Sequence, residues 1–271
     1  MVGTGIAASF GVLIKGGDIL ERINGITTVV FDKTGTLTLG RPELVSATAD
    51  SADLRLAAGL AANSRHPLAQ ALVRAVPAAA VIDGVDELPG QGLQHGETRL
   101  GSARFCDVRM PPNDGHSELW LSRPGRAPVR FAFADRLRPD AASAIAALRR
   151  DGLTVELLSG DRLAAVERIA REVGGSWQAE TTPADQTAHI EALARRGKRV
   201  LMVGDGLNDA PALAAAHASL SPTTAAEATQ NAADAVFQGD SLWPVVEVLR
   251  VARRADALVR QNLILALLYN L

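Results

Sequence analysis

Apolar positions along this chain change their period several times, and each change marks an element. Thr27-Thr-Val-Val-Phe31 is an unbroken β-branched and aromatic run ending on Asp32, the pattern of a strand buried on both faces. From Val129 onward, short apolar runs alternate with segments of helical period. Val129–Ala134 reads as a strand, Arg138–Arg150 as a helix with Ala141, Ile145 and Leu148 on one face, and Leu153–Leu158 as a strand. Helices are expected over Leu163–Val173 and Pro183–Arg196, and a strand over Arg199–Val203. Such alternation predicts an α/β fold: a Rossmann-type parallel sheet with helices on both faces. Between about residues 41 and 128 the character changes. A helical pair (Asp53–Ala62 and Pro67–Val76) precedes short strands with turns at Gly90-Gln-Gly92 and His95-Gly96, which reads as an inserted α+β domain. The expected division is a lead-in over 1–23, the parallel-sheet domain over 24–40 and 129–256, the insertion over 41–128, and a separate apolar end over 257–271.

That apolar end follows Val251–Arg260, a helical segment with three arginines, and runs from Leu263 to Leu271. Basic residues just before an apolar run suggest a cytoplasmic membrane edge, an ordinary C-terminal core helix being the alternative, and nine residues cannot cross a bilayer. Composition adds exclusions. With 271 residues, 47% apolar and 21% charged, the chain folds into packed domains rather than remaining disordered. A net charge of -2 gives no basic surface for nucleic acid, so no nucleic-acid partner is expected. The single cysteine, Cys106, excludes an internal disulfide framework and reads as a partly buried small residue.

In an open parallel sheet, ligands collect outside the carboxyl ends of the strands. Three segments place polar residues there: Asp32-Lys33-Thr34-Gly35, Ser159-Gly160-Asp161 and Gly204-Asp205-Gly206-Leu207-Asn208-Asp209. Strand-end logic puts Asp32 and Asp205 side by side although they are far apart in sequence. Paired carboxylates are hard oxygen ligands suited to Mg²⁺, and the metal lets two like charges ionise together. Ser159 and the turn amides after Asp32 suit phosphoryl oxygens. Together these segments predict phosphoryl transfer to an aspartate.

Asp32-Lys-Thr-Gly-Thr-Leu-Thr38 resembles the phosphorylation signature of P-type ATPases, and Gly204-Asp-Gly-Leu-Asn-Asp-Ala-Pro211 resembles their hinge motif. With an insertion between the two, the order is similar to the haloacid-dehalogenase-like fold of those pumps. The resemblance implies that Asp32 takes the γ-phosphate of ATP. It implies Mg²⁺ held by Asp32, the Thr34 carbonyl and Asp205. Thr34 and Ser159 would help bind the phosphoryl group, Asn208 and Asp209 would order the site, and Lys33, Gly160 and Asp161 join the catalytic set. In the insertion, Ser64-Arg-His66-Pro67, Gly90-Gln-Gly92 and Gly101-Ser102 resemble the nucleotide-binding domain of heavy-metal pumps, and imply contacts to ATP from Ser64, His66, Pro67, Gly90, Gly92, Gly101 and Ser102.

The sequence departs from that family at three places. Leu60-Ala61-Ala62-Asn63 lacks the glutamate often found before the Ser-x-His-Pro motif, Ser102 replaces an asparagine, and Gln186 stands where relatives carry a lysine. The first two remove polar contacts to ATP, and the third removes a cation from the phosphoryl site. Asn262 with Tyr269-Asn270 resembles the membrane helix that follows this loop in copper(I) pumps, which implies copper as cargo. The chain holds no Thr-Gly-Glu or Cys-Pro-Cys motif, so it is expected to be the large loop of a membrane pump at the cytoplasmic face, unable to transport alone. The alternatives are a free-standing haloacid-dehalogenase-like phosphatase and a catalytically weakened nucleotide-binding module. Such phosphatases usually carry a second aspartate two residues after the nucleophile, where this chain has Thr34.

Overall fold

The computed structural model describes residues 2–161, 163–206, 209–225 and 227–269. The chain divides into two compact units, Met1–Leu39 with Leu137–Leu271, and Gly40–Arg136.

In the first unit, seven strands among the described residues form one sheet in the order Val12–Ile14, Ala235–Phe237, Ala218–Pro222, Val200–Val203, Thr28–Asp32, Thr154–Leu158, Ser176–Gln178. All neighbours run parallel except the edge strand Val12–Ile14. The central strand shows why its sequence is apolar at every position. Val29 and Phe31 join one core with Leu201, Val203 and residues of the helices Ala141–Arg150, Leu163–Val173 and Trp243–Tyr269. Val30, pointing the opposite way, joins a second core with Met202, Leu158 and the helices Pro183–Arg195 and Ala210–Ala215. Period-two alternation thus feeds two cores at once, and burying a side chain such as Phe31 contributes about 1.5–3 kcal/mol.

In the second unit, six strands form a sheet in the order Thr38–Ala47, Val129–Leu137, Ser117–Ser122, Thr98–Gly101, Gly92–His95, Asp86–Leu88. Every pair from Ser117–Ser122 with Val129–Leu137 down to Asp86–Leu88 with Gly92–His95 is antiparallel. The helices Ser51–Ala61 and Pro67–Ala75 cover it through Leu60, Leu72, Leu93, Leu100, Leu121, Phe131 and Phe133. Cys106 is fully buried here, its Sγ 3.0 Å from the Trp120 carbonyl, and burial pushes its thiol up to about 11.

Two sequence expectations change. The strand expected over Val129–Ala134 in the parallel-sheet domain runs over Val129–Leu137 and pairs antiparallel with Ser117–Ser122, because Phe131 and Phe133 bury in the second core. The helix expected over Val251–Arg260 is part of a longer one, which runs unbroken from Trp243 to Tyr269. Its burial ends at Ala252, and among the described residues no helix is long and apolar enough to cross a membrane.

Candidate active site

Asp32 ends its strand in register with Leu158, and the adjacent strand pairs Val203 with Phe31. Three neighbouring strands therefore deliver Asp32, Ser159 and Gly204-Asp205 to one end of the sheet. After Asp32 the chain makes a wide π-type turn over Lys33–Leu37, with Gly35 at φ +69. Only glycine suits that position, because a Cβ would also strike the Asp205 carboxylate. Thr38 fixes the turn: its hydroxyl accepts from the Gly35 amide (3.1 Å) and donates to the Lys33 carbonyl (3.1 Å).

Negative charge is crowded here. Burial first, then the charges of Asp209 and Asp205, push the Asp32 carboxyl well above the usual carboxylate range, against the pull of the Lys33 amide and ammonium. Asp209 is pushed up to about 6 by burial and by Asp205. Its carboxylate packs against the Gly204 backbone and is almost wholly buried. Neither oxygen meets a donor in hydrogen-bonding geometry among the described residues, although the nearby amides of Asp209 and Gly206 favour its charged form. Clustered acids that resist ionisation with an orphaned buried carboxylate are the donor set of a cation site, and hard oxygens fit Mg²⁺. Asp32 and Asp205 could hold it, with the Thr34 carbonyl that the family resemblance adds.

Other expected residues gather around the same strand ends. Ser159 is buried, and its hydroxyl accepts from the Asp161 amide at 3.1 Å, closing the Ser159-Gly160-Asp161 turn. Lys33 is buried and paired with Asp161, which ties the turn after Asp32 to the turn after Ser159. Gln186 brings no cation, but Lys33 places one beside Asp32. Gln186 is itself buried in the first turn of its helix. Its amide nitrogen is 3.4 Å from the Thr181 hydroxyl and its Oε1 is without a partner among the described residues. Thr34 is exposed, and Asn208 lies outside the described residues.

One residue went unread in the sequence. Arg138 is not a helix start; the helix begins at Ala141. Its buried guanidinium donates to the carbonyls of Thr36 (2.6 Å), Gly239 (2.8 Å) and Gly35 (3.3 Å), and so holds the turn after Asp32 from behind. The only sequence signal was a basic residue followed by Pro139 at a strand end, which carries no reach in three dimensions.

The second unit holds a cavity of about 560 Å³ lined by Ser64, His66, Gly90, Gly92, Gly101 and Ser102 together with Glu87 and apolar Leu68, Leu93 and Leu100. That volume suits a nucleotide-sized ligand. Pro67 opens the helix, and His66 caps it, with Nδ1 accepting from the Leu68 amide at 3.3 Å. The ring stays exposed. Gly92 (φ +152) faces Gly101 across the sheet so closely that a Cβ on either would meet the other strand's backbone. These two glycines are thus required by strand packing, whereas Gly90 (φ +72) faces open space. Glu87 was not read from sequence: its carboxylate accepts from the Ser64 hydroxyl at 2.5 Å. It brings an acid into the cavity from another strand, where the local sequence before His66 has none.

Residues 26–217 match the family model described as haloacid dehalogenase-like hydrolase, and the chain belongs to that family. It is 45% identical over 280 residues to the nitrogen fixation protein FixI of Bradyrhizobium diazoefficiens, covering 99% of this chain and 38% of that protein. It is 39% identical to the probable copper-transporting ATPase SynA of a Synechococcus species, over 100% of this chain and 37% of that protein. Among solved structures, a zinc-transporting PIB-type ATPase in an E2.Pi state is 33% identical with a TM-score of 0.84, over 98% of this chain and 47% of that one. The chain thus spans less than half the length of these relatives, and it corresponds to the phosphorylation and nucleotide-binding region of heavy-metal P-type ATPases.

Proposed function

We propose that this chain is the ATP-binding and phosphorylated portion of a membrane pump for a heavy-metal ion, with copper the favoured cargo from its likeness to SynA. The observation that carries the reading is the enclosed Asp32 beside Asp205 and Asp209 at adjacent strand ends. The Gly40–Arg136 unit serves as the nucleotide-binding domain, where the base lies in the cavity beside His66 and Ser64. A carboxylate oxygen of Asp32 attacks the γ-phosphorus of ATP, the bond to the β–γ bridging oxygen breaks, and ADP leaves with that electron pair. Asp32, Asp205 and the Thr34 carbonyl would hold Mg²⁺, which would supply charge neutralisation for ATP and the carboxylates. Ser159 and the turn amides after Asp32 receive the phosphoryl oxygens, Lys33 offsets their charge, and Asp209 and Asn208 order the site. Thr34 offers no carboxylate to activate water, which favours a persistent aspartyl-phosphate over a phosphatase cycle. Transport, membrane anchorage and a place at the cytoplasmic face belong to the full-length pump.

The test is incubation with γ-labelled ATP and Mg²⁺. Acid-stable label that hydroxylamine releases supports the reading. Release of inorganic phosphate with no covalent label would return the chain to the phosphatase class, and ATP binding without either product would make it a nucleotide-binding module.

A further inference from the structure

Arg138 grips the turn after Asp32 from a side that no phosphoryl group reaches. The residue is only 2% exposed and directly follows the strand Val129–Leu137. Its amide donates to the Leu37 carbonyl (2.9 Å). Its guanidinium donates to the carbonyls of Thr36 (2.6 Å) and Gly35 (3.3 Å) in the turn, and to that of Gly239 (2.8 Å) in a distant loop. The Phe237 ring lies beneath it, with the guanidinium carbon 5.4 Å from the ring centre. A buried cation is costly unless its donors are satisfied, and only a planar fork can serve several carbonyls in fixed directions. The Gly239 side is itself braced. Asp140, two residues on, accepts from the Ser241 hydroxyl (2.5 Å) and from the amides of Leu242 (2.9 Å) and Trp243 (2.9 Å).

What this strut fixes is the approach of Gly35 to Asp205. The Gly35 carbonyl takes the guanidinium, while its α-carbon lies so close to the Asp205 carboxylate that a Cβ would overlap it. Asp32 opens the same turn, and its strand pairs with the strand that leads to Asp205. The turn is therefore a spacer between two carboxylates, with Arg138 at its back. Mg²⁺ requires near-octahedral oxygens at about 2.0–2.1 Å, whereas Ca²⁺ accepts longer bonds and irregular shells. A small shift of the turn would thus penalise Mg²⁺ and spare Ca²⁺.

We propose that Arg138 is a positioning residue that sets the spacing of Asp32 and Asp205 and thereby the fit of their site to Mg²⁺. It acts through the Gly35 and Thr36 carbonyls rather than on the metal. The inference rests on the reading of Asp32 and Asp205 as a Mg²⁺ site, and it names what tunes that site.

Mg²⁺ and Ca²⁺ should each be titrated, without ATP, into the 271-residue parent, Arg138→Lys and Arg138→Ala, with amide NMR shifts of Lys33–Thr38 as the readout. Loss of an outer support of a metal ligand costs roughly 10- to 100-fold in metal affinity. Arg138→Lys should therefore weaken Mg²⁺ binding about ten-fold while Ca²⁺ binding stays within about two-fold of the parent. Guanidinium ion at millimolar concentration should restore Mg²⁺ binding to Arg138→Ala by refilling the vacated fork, and methylammonium should not. At subsaturating Mg²⁺, labelling by ATP should slow in step with the lost metal affinity, with ATP affinity unchanged. Equal losses for the two metals would mean a merely structural arginine and overturn the proposal. So would parent-like Mg²⁺ binding in Arg138→Lys, or a parent that binds no Mg²⁺. If Arg138→Ala does not fold, the metal preference of Arg138→Lys decides alone. A parent that binds Mg²⁺ but takes no label from ATP would strike the phosphorylation reading and leave the role of Arg138 standing.

Discussion

The two units solve opposite physical problems. The parallel-sheet unit gathers like charges: Asp32, Asp205 and Asp209 meet at one end of the sheet, and Asp32 and Asp209 are held above the usual carboxylate range. The antiparallel unit gathers apolar surface around a ready-made cavity, where Ser64 is already paired with Glu87. One site is incomplete without a cation and an electrophile; the other needs only a ligand of the right shape. Chemistry and recognition therefore sit on different scaffolds, and a substitution in one should leave the other's measurement untouched.

The largest expected separation comes from Asp32→Asn. Covalent labelling by ATP should vanish while nucleotide affinity changes little, measured by filter-retained label and by calorimetry. Loss of nucleotide affinity in parallel with labelling would break the division of labour.

Gln186→Lys comes next. Charge-assisted bonds are roughly twice as strong as neutral ones, and recovering about 1.4–3 kcal/mol in the chemical step corresponds to a labelling rate about ten- to a hundred-fold higher. Single-turnover quench-flow with ATP affinity unchanged is the measurement. An unchanged or slower rate would mean that Lys33 already supplies the cation, or that the Pro183 helix does not present residue 186 to the phosphoryl group.

Asp209 makes the charge crowding visible as stability. Its folded pKa, about 6, lies above the ordinary carboxylate value. The proton it holds therefore stabilises the fold fully below about pH 4, and that contribution is lost as pH rises through 6. Without Mg²⁺, Asp209→Asn should raise stability at pH 8 by about 1–3 kcal/mol relative to the parent and should flatten the dependence between pH 5 and 8. Denaturant melts at the two pH values decide it; identical slopes in both proteins would show that Asp209 ionises freely.

The smallest effect is expected at His66→Gln, whose ring is exposed at the mouth of a cavity with many other walls. Losing about 0.5–1.5 kcal/mol weakens ATP binding roughly two- to ten-fold, with labelling of Asp32 unchanged at saturating ATP. Amide NMR shifts on ATP addition should cluster on Ser64–Leu68, Gly90–Leu93 and Gly101–Ser102. Shifts confined to the turns after Asp32 and Val203 would place the whole nucleotide in the other unit.

The sequence by itself determined whatever depends on local pattern and chain direction. Thr27–Phe31 is apolar at consecutive positions because both faces of its strand are buried, and that alone placed Asp32 at a strand end. The same logic found Ser159 and Asp205, since parallel strands present their carboxyl ends on one side. The helix start at Pro67 was legible because proline suits the first helical position. Only the tertiary structure decided what depends on distant surfaces meeting. The sheet that takes Val129–Leu137 was set by where Phe131 and Phe133 find a core. Glu87 reaches Ser64, and Arg138 reaches Thr36 and Gly239, across separations that no spacing rule records. Gly92 and Gly101 are expected ATP contacts by resemblance, and the structure adds that two strands touch there. The raised pKa of Asp209 likewise follows from burial beside Asp205, a property of enclosed space rather than of residue order.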